Sequence, residues 1–400
     1  MKRILFVDDE VKVLEGLERM LRSQRKQWDM AFASSGVEAL ALLEARPFDL
    51  LVTDMRMPEM DGAALLEQVK RRFPGVIRMV LSGYCELEAA MRAVPVAHQY
   101  LAKPCDSGRL RDAIERACNL SSILTNEPVR RVVGAVGSLP SPPGTCGALL
   151  EALREANISV DQVAKIIERD VGITAKVLQL VNSAFFGRLR EVTTVAAAVN
   201  HIGFDVLTQL ALSAEIFRTF EPRRRIAGFS FEEFQKHSRE AANIARLLPA
   251  PQKVASASVV AALLHDAGKL VLAVRLPEQF EHVLERSRKE RRPLHAVEEE
   301  LTGTSHAEIG AYLLALWGLP GVVVEAVSRH HHPVTTNPGE QGLDVLAITH
   351  IADALAHELT DGADAARDLW NLEYVAARGL ADHVPVSRKL AGQLPNGSGA

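Results

Sequence analysis

Along the first 120 residues, short apolar runs alternate with amphipathic stretches. Ile4–Val7, Met30–Ala33, Leu50–Thr53, Ile77–Leu81 and Gln99–Leu101 read as strands. Apolar positions at helical spacing fill the intervals: Val13, Leu14, Leu17, Met20 and Leu21, then Leu40 and Leu43, then Leu65, Leu66, Val69 and Phe73. Leu110, Ala113, Ile114 and Ala117 mark a last helix. Five alternations of strand and helix predict an α/β doubly wound, five-stranded parallel sheet over residues 1–120. The run Leu50-Leu51-Val52-Thr53 shows no polar alternation, as a central strand covered on both faces requires.

The pattern changes after residue 120. Residues 121–138 lose regular periodicity, and Leu139-Pro140-Ser141-Pro142-Pro143-Gly144 suits neither helix nor central strand, so 121–138 is expected to be a linker. Beyond it one helical period follows another. Val160, Val163, Ile166 and Ile167 form one apolar face, and Thr174, Val177, Leu178 and Val181 form another. Ala255–Leu264, rich in Ala, Ser and Val, suits a helix packed on every side. An all-α domain is expected over 139–383, followed by a disordered tail, 384–400, that ends Pro-Asn-Gly-Ser-Gly-Ala.

Four hundred residues, 48% of them hydrophobic, allow two or three cores. The 46 basic and 50 acidic residues nearly balance, so no overall field draws the chain to nucleic acid or an anionic membrane. The Glu285–Arg292 run mixes signs and lacks aromatics, as a solvated helix face does, and no basic recognition helix follows residue 120. Direct DNA binding is therefore not expected. Cys85, Cys105, Cys118 and Cys146 form no CxxC pair, which fits reduced thiols. The N-terminal apolar run is too short for a signal peptide, and no stretch is expected to reach the ~20 apolar residues of a membrane helix. A soluble, cytoplasmic protein is the expectation.

Chemistry-bearing residues gather at the strand ends: Asp8 and Asp9 after the first, Asp54 after the third, Ser82 after the fourth and Lys103 after the fifth. Carboxylates so grouped repel one another unless a hard cation joins them, and an oxygen-rich, thiol-free set suits Mg2+. A lysine and a hydroxyl opposite would suit a phosphoryl group, toward which one carboxylate could act as nucleophile. Residues 1–120 thus resemble a response-regulator receiver domain. The resemblance implies that Asp54 is the phosphoacceptor, with a histidine kinase or phosphotransfer protein as donor. It also implies that Asp8, Asp9, Asp54 and the Arg56 carbonyl hold Mg2+. Ser82 and Lys103 would contact the phosphoryl oxygens, Tyr100 would be the switch aromatic, and the Lys103–Pro104 peptide would be cis.

Ten of the thirteen histidines lie between His237 and His357, and residues 1–97 contain none. His265-Asp266-Ala267-Gly268-Lys269 closes an apolar helix that Gly268 is expected to stop. His306 opens a helical run, His330-His331-His332-Pro333 ends one, and His350, Asp353 and His357 share a helix face. Imidazoles and carboxylates converging from separate helices suit Fe, Mn or Zn. The series His237, His265, Asp266, His306, His330, His331 and Asp353 resembles the ligands of HD phosphohydrolases. The closer resemblance, over 139–335, is to the HDOD output domain. It is carried also by Asn182-Ser183-Ala184-Phe185-Phe186-Gly187 and Trp317-Gly318-Leu319-Pro320. It implies a signalling module, with no established reaction, that acts on an unidentified downstream protein. Sister HD-GYP domains hydrolyse cyclic di-GMP, but this chain reads His332-Pro333-Val334-Thr335-Thr336 where they carry Gly-Tyr-Pro. The expected function is a phosphorelay regulator that switches an HDOD interaction module. The alternatives are a phosphorylation-gated, metal-dependent phosphodiesterase acting on a cyclic dinucleotide, or metal-free core histidines.

Overall fold

A computed structural model describes residues 1–82, 93, 95–103, 107–120, 123–141, 145–155, 157–182, 192–212, 225–334 and 341–392. Strands β1 (Lys2–Val7), β2 (Trp28–Ala33), β3 (Leu50–Thr53), β4 (Ile77–Ser82) and β5 (Gln99–Ala102) form one parallel sheet in the order β2-β1-β3-β4-β5. All four residues of β3 are buried, which accounts for its unbroken apolar run. Helices Val11–Met20, Gly36–Ala45, Gly62–Arg72 and Ser107–Asn119 flank the sheet. Two start at side-chain caps, Ser35 on the amide of Glu38 and Asp61 on that of Ala64. In this strand order the direction in which successive strands are added reverses at β1 and β3, so the carboxyl ends of those strands border the crevice.

The rest is mostly helical. The 121–138 segment is not the irregular linker expected, because residues Glu127–Gly134 form a helix. Asn126 caps it through the Val129 amide and donates to Thr302 O, and Val129 and Val133 are buried. Val129, Val132 and Val133 stand at helical spacing, but a helix this short is not stable alone, and tertiary packing supplies the rest. The Arg78 guanidinium fastens this helix to the sheet. It donates to Gly134 O at 2.7 Å, Val96 O at 2.6 Å and Val76 O at 3.2 Å, and meets His98 Nε2 at 2.8 Å. The C-terminal expectation also needs correction. His383–Ala391 is a helix, anchored by buried Ala391 and by Arg388, whose guanidinium reaches Glu358 at 2.6 and 2.7 Å.

Helix Gln252–Leu264 runs through the core, as its small-residue composition predicts. With the following helix, Ala267–Arg275, it makes a stretch long and apolar enough to cross a membrane, contrary to the sequence expectation. However, 83% of that window is buried inside the protein. The two helices part at His265–Asp266, where Asp266 takes φ −95° and ψ 8°. Gly268 is therefore not a helix stop. It lies in the first turn of the second helix, where a Cβ would stand 1.9 Å from His306 O and 2.8 Å from Gly310 N. Its missing side chain lets helices Ala267–Arg275 and His306–Leu316 meet backbone to backbone.

Candidate functional sites

At the sheet edge, β1 and β3 end side by side and bring Asp8 and Asp54 to a single lysine. Lys103 Nζ donates to Asp8 Oδ2 at 2.6 Å and to Asp54 Oδ1 at 2.5 Å. Burial disfavours its charge, but the bonds to Asp54 and Asp8 outweigh that and hold its pKa above the ordinary lysine value. The Glu10 amide donates to Asp8 Oδ1 and the Arg56 amide to Asp54 Oδ2. Arg56 thus meets Asp54 through its N–H. Asp8 is buried and Asp9 exposed. Two carboxylates around one ammonium leave negative charge beside an open edge, an all-oxygen setting that fits Mg2+. Ser82 ends β4 with its backbone opposite Ala102, while its hydroxyl and Pro104 lie outside the described residues.

Tyr100 is buried in β5, and its hydroxyl has no hydrogen-bond partner among the described residues. Burial raises its pKa well above the ordinary phenol value. It faces a cavity of about 1430 Å³ between sheet and helices, lined also by Gln99, Asn119, Val181, Trp317 and Glu325. Next to it, Gln99 Nε2 donates to Ala315 O at 3.4 Å, so the strand that carries the predicted switch residue touches the helical half directly.

The second site is built at helix ends. His237 comes from helix Phe231–Leu247, His265 and Asp266 from the break after Leu264, and His306 from the first position of its helix. His330 and His331 follow helix Gly321–Arg329, and Asp353 lies on helix Val345–Asp361. All seven predicted residues converge in two adjoining sets: Asp266, His306, His330 and His331 in one, His237, His265 and Asp353 in the other. His237 Nε2 is 3.1 Å from Asp353 Oδ1 and 3.2 Å from His265 Nε2. His306 Nε2 is 2.9 Å from His331 Nε2 and 3.1 Å from Asp266 Oδ1.

Backbone carbonyls orient two of these rings. His265 Nδ1 is 2.7 Å from Ala262 O and His330 Nδ1 is 2.8 Å from Val327 O, which turns both Nε2 atoms inward. Each close Nε2–Nε2 pair needs a proton between its nitrogens, or a cation in its place. Asp266 Oδ1, His330 Nε2 and His331 Nδ1 are buried with no hydrogen-bond partner among the described residues. Orphaned donor atoms in a set of imidazoles and carboxylates fit a divalent Fe, Mn or Zn ion.

Without an ion, positive charge is favoured at His265 and, despite burial and through Glu298, at His306. Burial opposes the charge on His265, but Asp266 and Asp353 raise its pKa to about 10. Burial and neighbouring imidazoles lower His330 and His331 well below the ordinary value, and burial with His357 takes His237 to about 4. Lys269 Nζ donates to Asp266 Oδ2 at 2.5 Å. His350, on the same helix face as Asp353, stays outside both sets. Its Nδ1 lies 2.7 Å from His330 O, and its Nε2 accepts from the Asn371 amide. His357 Nε2 stands 3.6 Å from Asp353 Oδ1. Sequence reasoning missed Glu298 and His295. Both are buried on helix Leu294–Thr302, with Glu298 against His306 and His295 stacked on His331. The available signal was their i, i+3 spacing just before His306.

Comparison with known proteins agrees with both halves. The family model for the response regulator receiver domain matches residues 4–115, and that for the HDOD domain matches residues 139–333. Over 115 residues the chain is 37% identical to the transcriptional regulatory protein ZraR of Salmonella typhimurium, which covers 28% of this chain and 26% of that protein. The chain spans about a quarter to two fifths of the length of the first curated relatives it matches. The MmoQ response regulator from Methylococcus capsulatus is 25% identical, with 61% of this chain and 98% of that one covered at a TM-score of 0.47. A virulence factor from Campylobacter jejuni shares the fold at 22% identity, with 68% of this chain and 100% of that one covered at a TM-score of 0.50.

Proposed function

Since this chain joins a response regulator receiver domain to an HDOD domain, we propose that it is a cytoplasmic phosphorelay protein in which phosphorylation of Asp54 switches the helical half. The carrying observation is Lys103 bonded to both Asp8 and Asp54. A histidine kinase or phosphotransfer protein supplies the phosphoryl group. Asp8, Asp9, Asp54 and the Arg56 carbonyl would hold Mg2+, which offsets charge on the incoming phosphoryl group. A phosphoryl oxygen then competes with Asp54 for Lys103 and reaches the Ser82 hydroxyl. Rearrangement at β5 passes through Tyr100 and Gln99 to the helical half, which acts on a downstream protein partner.

The test is incubation with a small phosphodonor and Mg2+, followed by intact-mass and hydrodynamic measurement. The parent should gain one phosphoryl group and change shape or partner binding, and Asp54→Asn should do neither. A parent that behaves like Asp54→Asn with and without donor refutes the proposal.

A second reading is favoured by the convergence of the seven helical-core ligands. Asp266, His306, His330 and His331 would hold one divalent ion, and His237, His265 and Asp353 another. Such ions supply Lewis-acid activation for phosphodiester hydrolysis. Lys269, fixed on Asp266, adds positive charge beside the site. Metal content after anaerobic purification, followed by a cyclic dinucleotide screen, tests this reading. Metal-free protein, or metal without hydrolysis, leaves the helical half as an interaction module.

A further inference from the structure

Helix Leu294–Thr302 contributes no residue to either set, yet one of its faces touches three histidines, His306, His331 and His332. His295, Glu298 and Glu299 stand at i, i+3 and i+4, so they project together. The His295 ring stacks on His331 at 4.1 Å between centroids and 16° between planes. Glu299 Oε1 lies 3.0 Å from His332 Nε2. Glu298, 2% exposed, makes the most specific contact: its Oε2 accepts from His306 Nδ1 at 2.6 Å and from the His306 amide at 2.8 Å.

Resting on the reading that the helical core holds divalent metal, we propose that Glu298 is the positioning residue of the Asp266–His306–His330–His331 set. One carboxylate oxygen fixes His306 at its backbone amide and at its ring. The amide bond anchors the first turn of helix His306–Leu316, where Ser305 stands at the cap position and makes no side-chain cap bond. The ring bond keeps the proton on Nδ1, so the Nε2 lone pair points toward Asp266 and His331. Deleting the carboxylate frees the ring to flip or to change tautomer, and the ion then loses one directed donor. A residue that served only as a cap would affect the helix and leave ion affinity alone. The conservative amide separates these roles, because a glutamine oxygen can still accept both bonds.

The experiment is Mn2+ and Zn2+ titration, each ion alone, of the full chain and its Glu298→Ala and Glu298→Gln variants. Metal counts per chain and histidine 15N spectra of the Zn2+-loaded parent accompany it. Glu298→Ala should weaken one of the two ions by roughly ten- to a hundredfold and spare the His237–His265–Asp353 ion. Glu298→Gln should restore most of that affinity. The parent spectrum should show His306 protonated at Nδ1, a readout that needs no variant to fold. Parental ion affinity in Glu298→Ala, or His306 protonated at Nε2 in the loaded parent, overturns the inference while the metal reading stands. A parent that takes up neither ion overturns both.

Discussion

Replacing Gly268 by alanine pits a favourable local change against an unfavourable tertiary one. Alanine gains about 1 kcal/mol over glycine in a helix interior. Here, however, the added methyl would stand 1.9 Å from His306 O and 2.7 Å from His306 C. Those are backbone atoms, so no rotamer relieves the contact and the two helices must separate by roughly 1.5 Å to restore ordinary van der Waals distance. Overpacking of this kind costs about 1–3 kcal/mol and occasionally more, and a backbone contact belongs at the upper end. The net loss should be about 2 kcal/mol, roughly thirtyfold in the folding equilibrium. The displaced residues belong to the proposed metal set: Asp266 lies two positions before Gly268, and His306 Nε2 is 3.1 Å from Asp266 Oδ1. Gly268→Ala should therefore lower the urea midpoint and weaken Mn2+ binding together. Gly16→Ala is the control, since Gly16 is helical and a Cβ there meets nothing within 4 Å. It should stabilise by about 0.5–1 kcal/mol. A Gly268→Ala protein that shifts upward like Gly16→Ala, with parental Mn2+ affinity, would refute the backbone contact between these helices.

Three further outcomes are expected. Burial pushes the Asp170 carboxyl up to about 7, against bonds from the Ile173 amide, the Ser141 hydroxyl and the Gly172 amide. The folded state therefore keeps a proton that the unfolded chain releases near pH 4, and stability falls as pH rises from about 4 to 7, by on the order of 4 kcal/mol in total. Asp170→Asn, whose oxygen can accept the same bonds, should flatten that slope in urea midpoints measured across the window; a slope equal to the parent's would exclude Asp170 as its source. Arg78→Met strands the carbonyl of Val96 and leaves that of Gly134 to His98 Nε2 alone, so stability should drop by about 1–3 kcal/mol, and proteolytic cleavage between residues 121 and 138 should quicken. Chelator treatment of metal-loaded parent should lower its thermal midpoint, since an ion at a hundred times its Kd contributes about 2.7 kcal/mol. His265→Ala/Asp266→Ala should show no such drop, and an equal fall in that variant would place the chelator's effect elsewhere.

The sequence alone determined the sheet, its parallel sense and the residues at its active edge. Strand spacing and the strand-end positions of Asp8, Asp54 and Lys103 are local properties, and a doubly wound sheet brings those ends together. It also singled out the seven residues that converge in the helical core, because clustered His and Asp in helix-ending positions show at short range. Tertiary structure decided everything that depends on which helix faces which. The division of the seven residues into two sets, the exclusion of His350 and the contact of Glu298 with His306 follow from interhelical packing that no single period encodes. Helices Glu127–Gly134 and His383–Ala391 were missed for the same reason: each is too short to be stable alone and exists through what it packs against. Gly268 states the difference at one residue. Its sequence context reads as a helix end, whereas its role is set by a carbonyl 38 positions further along the chain, at His306.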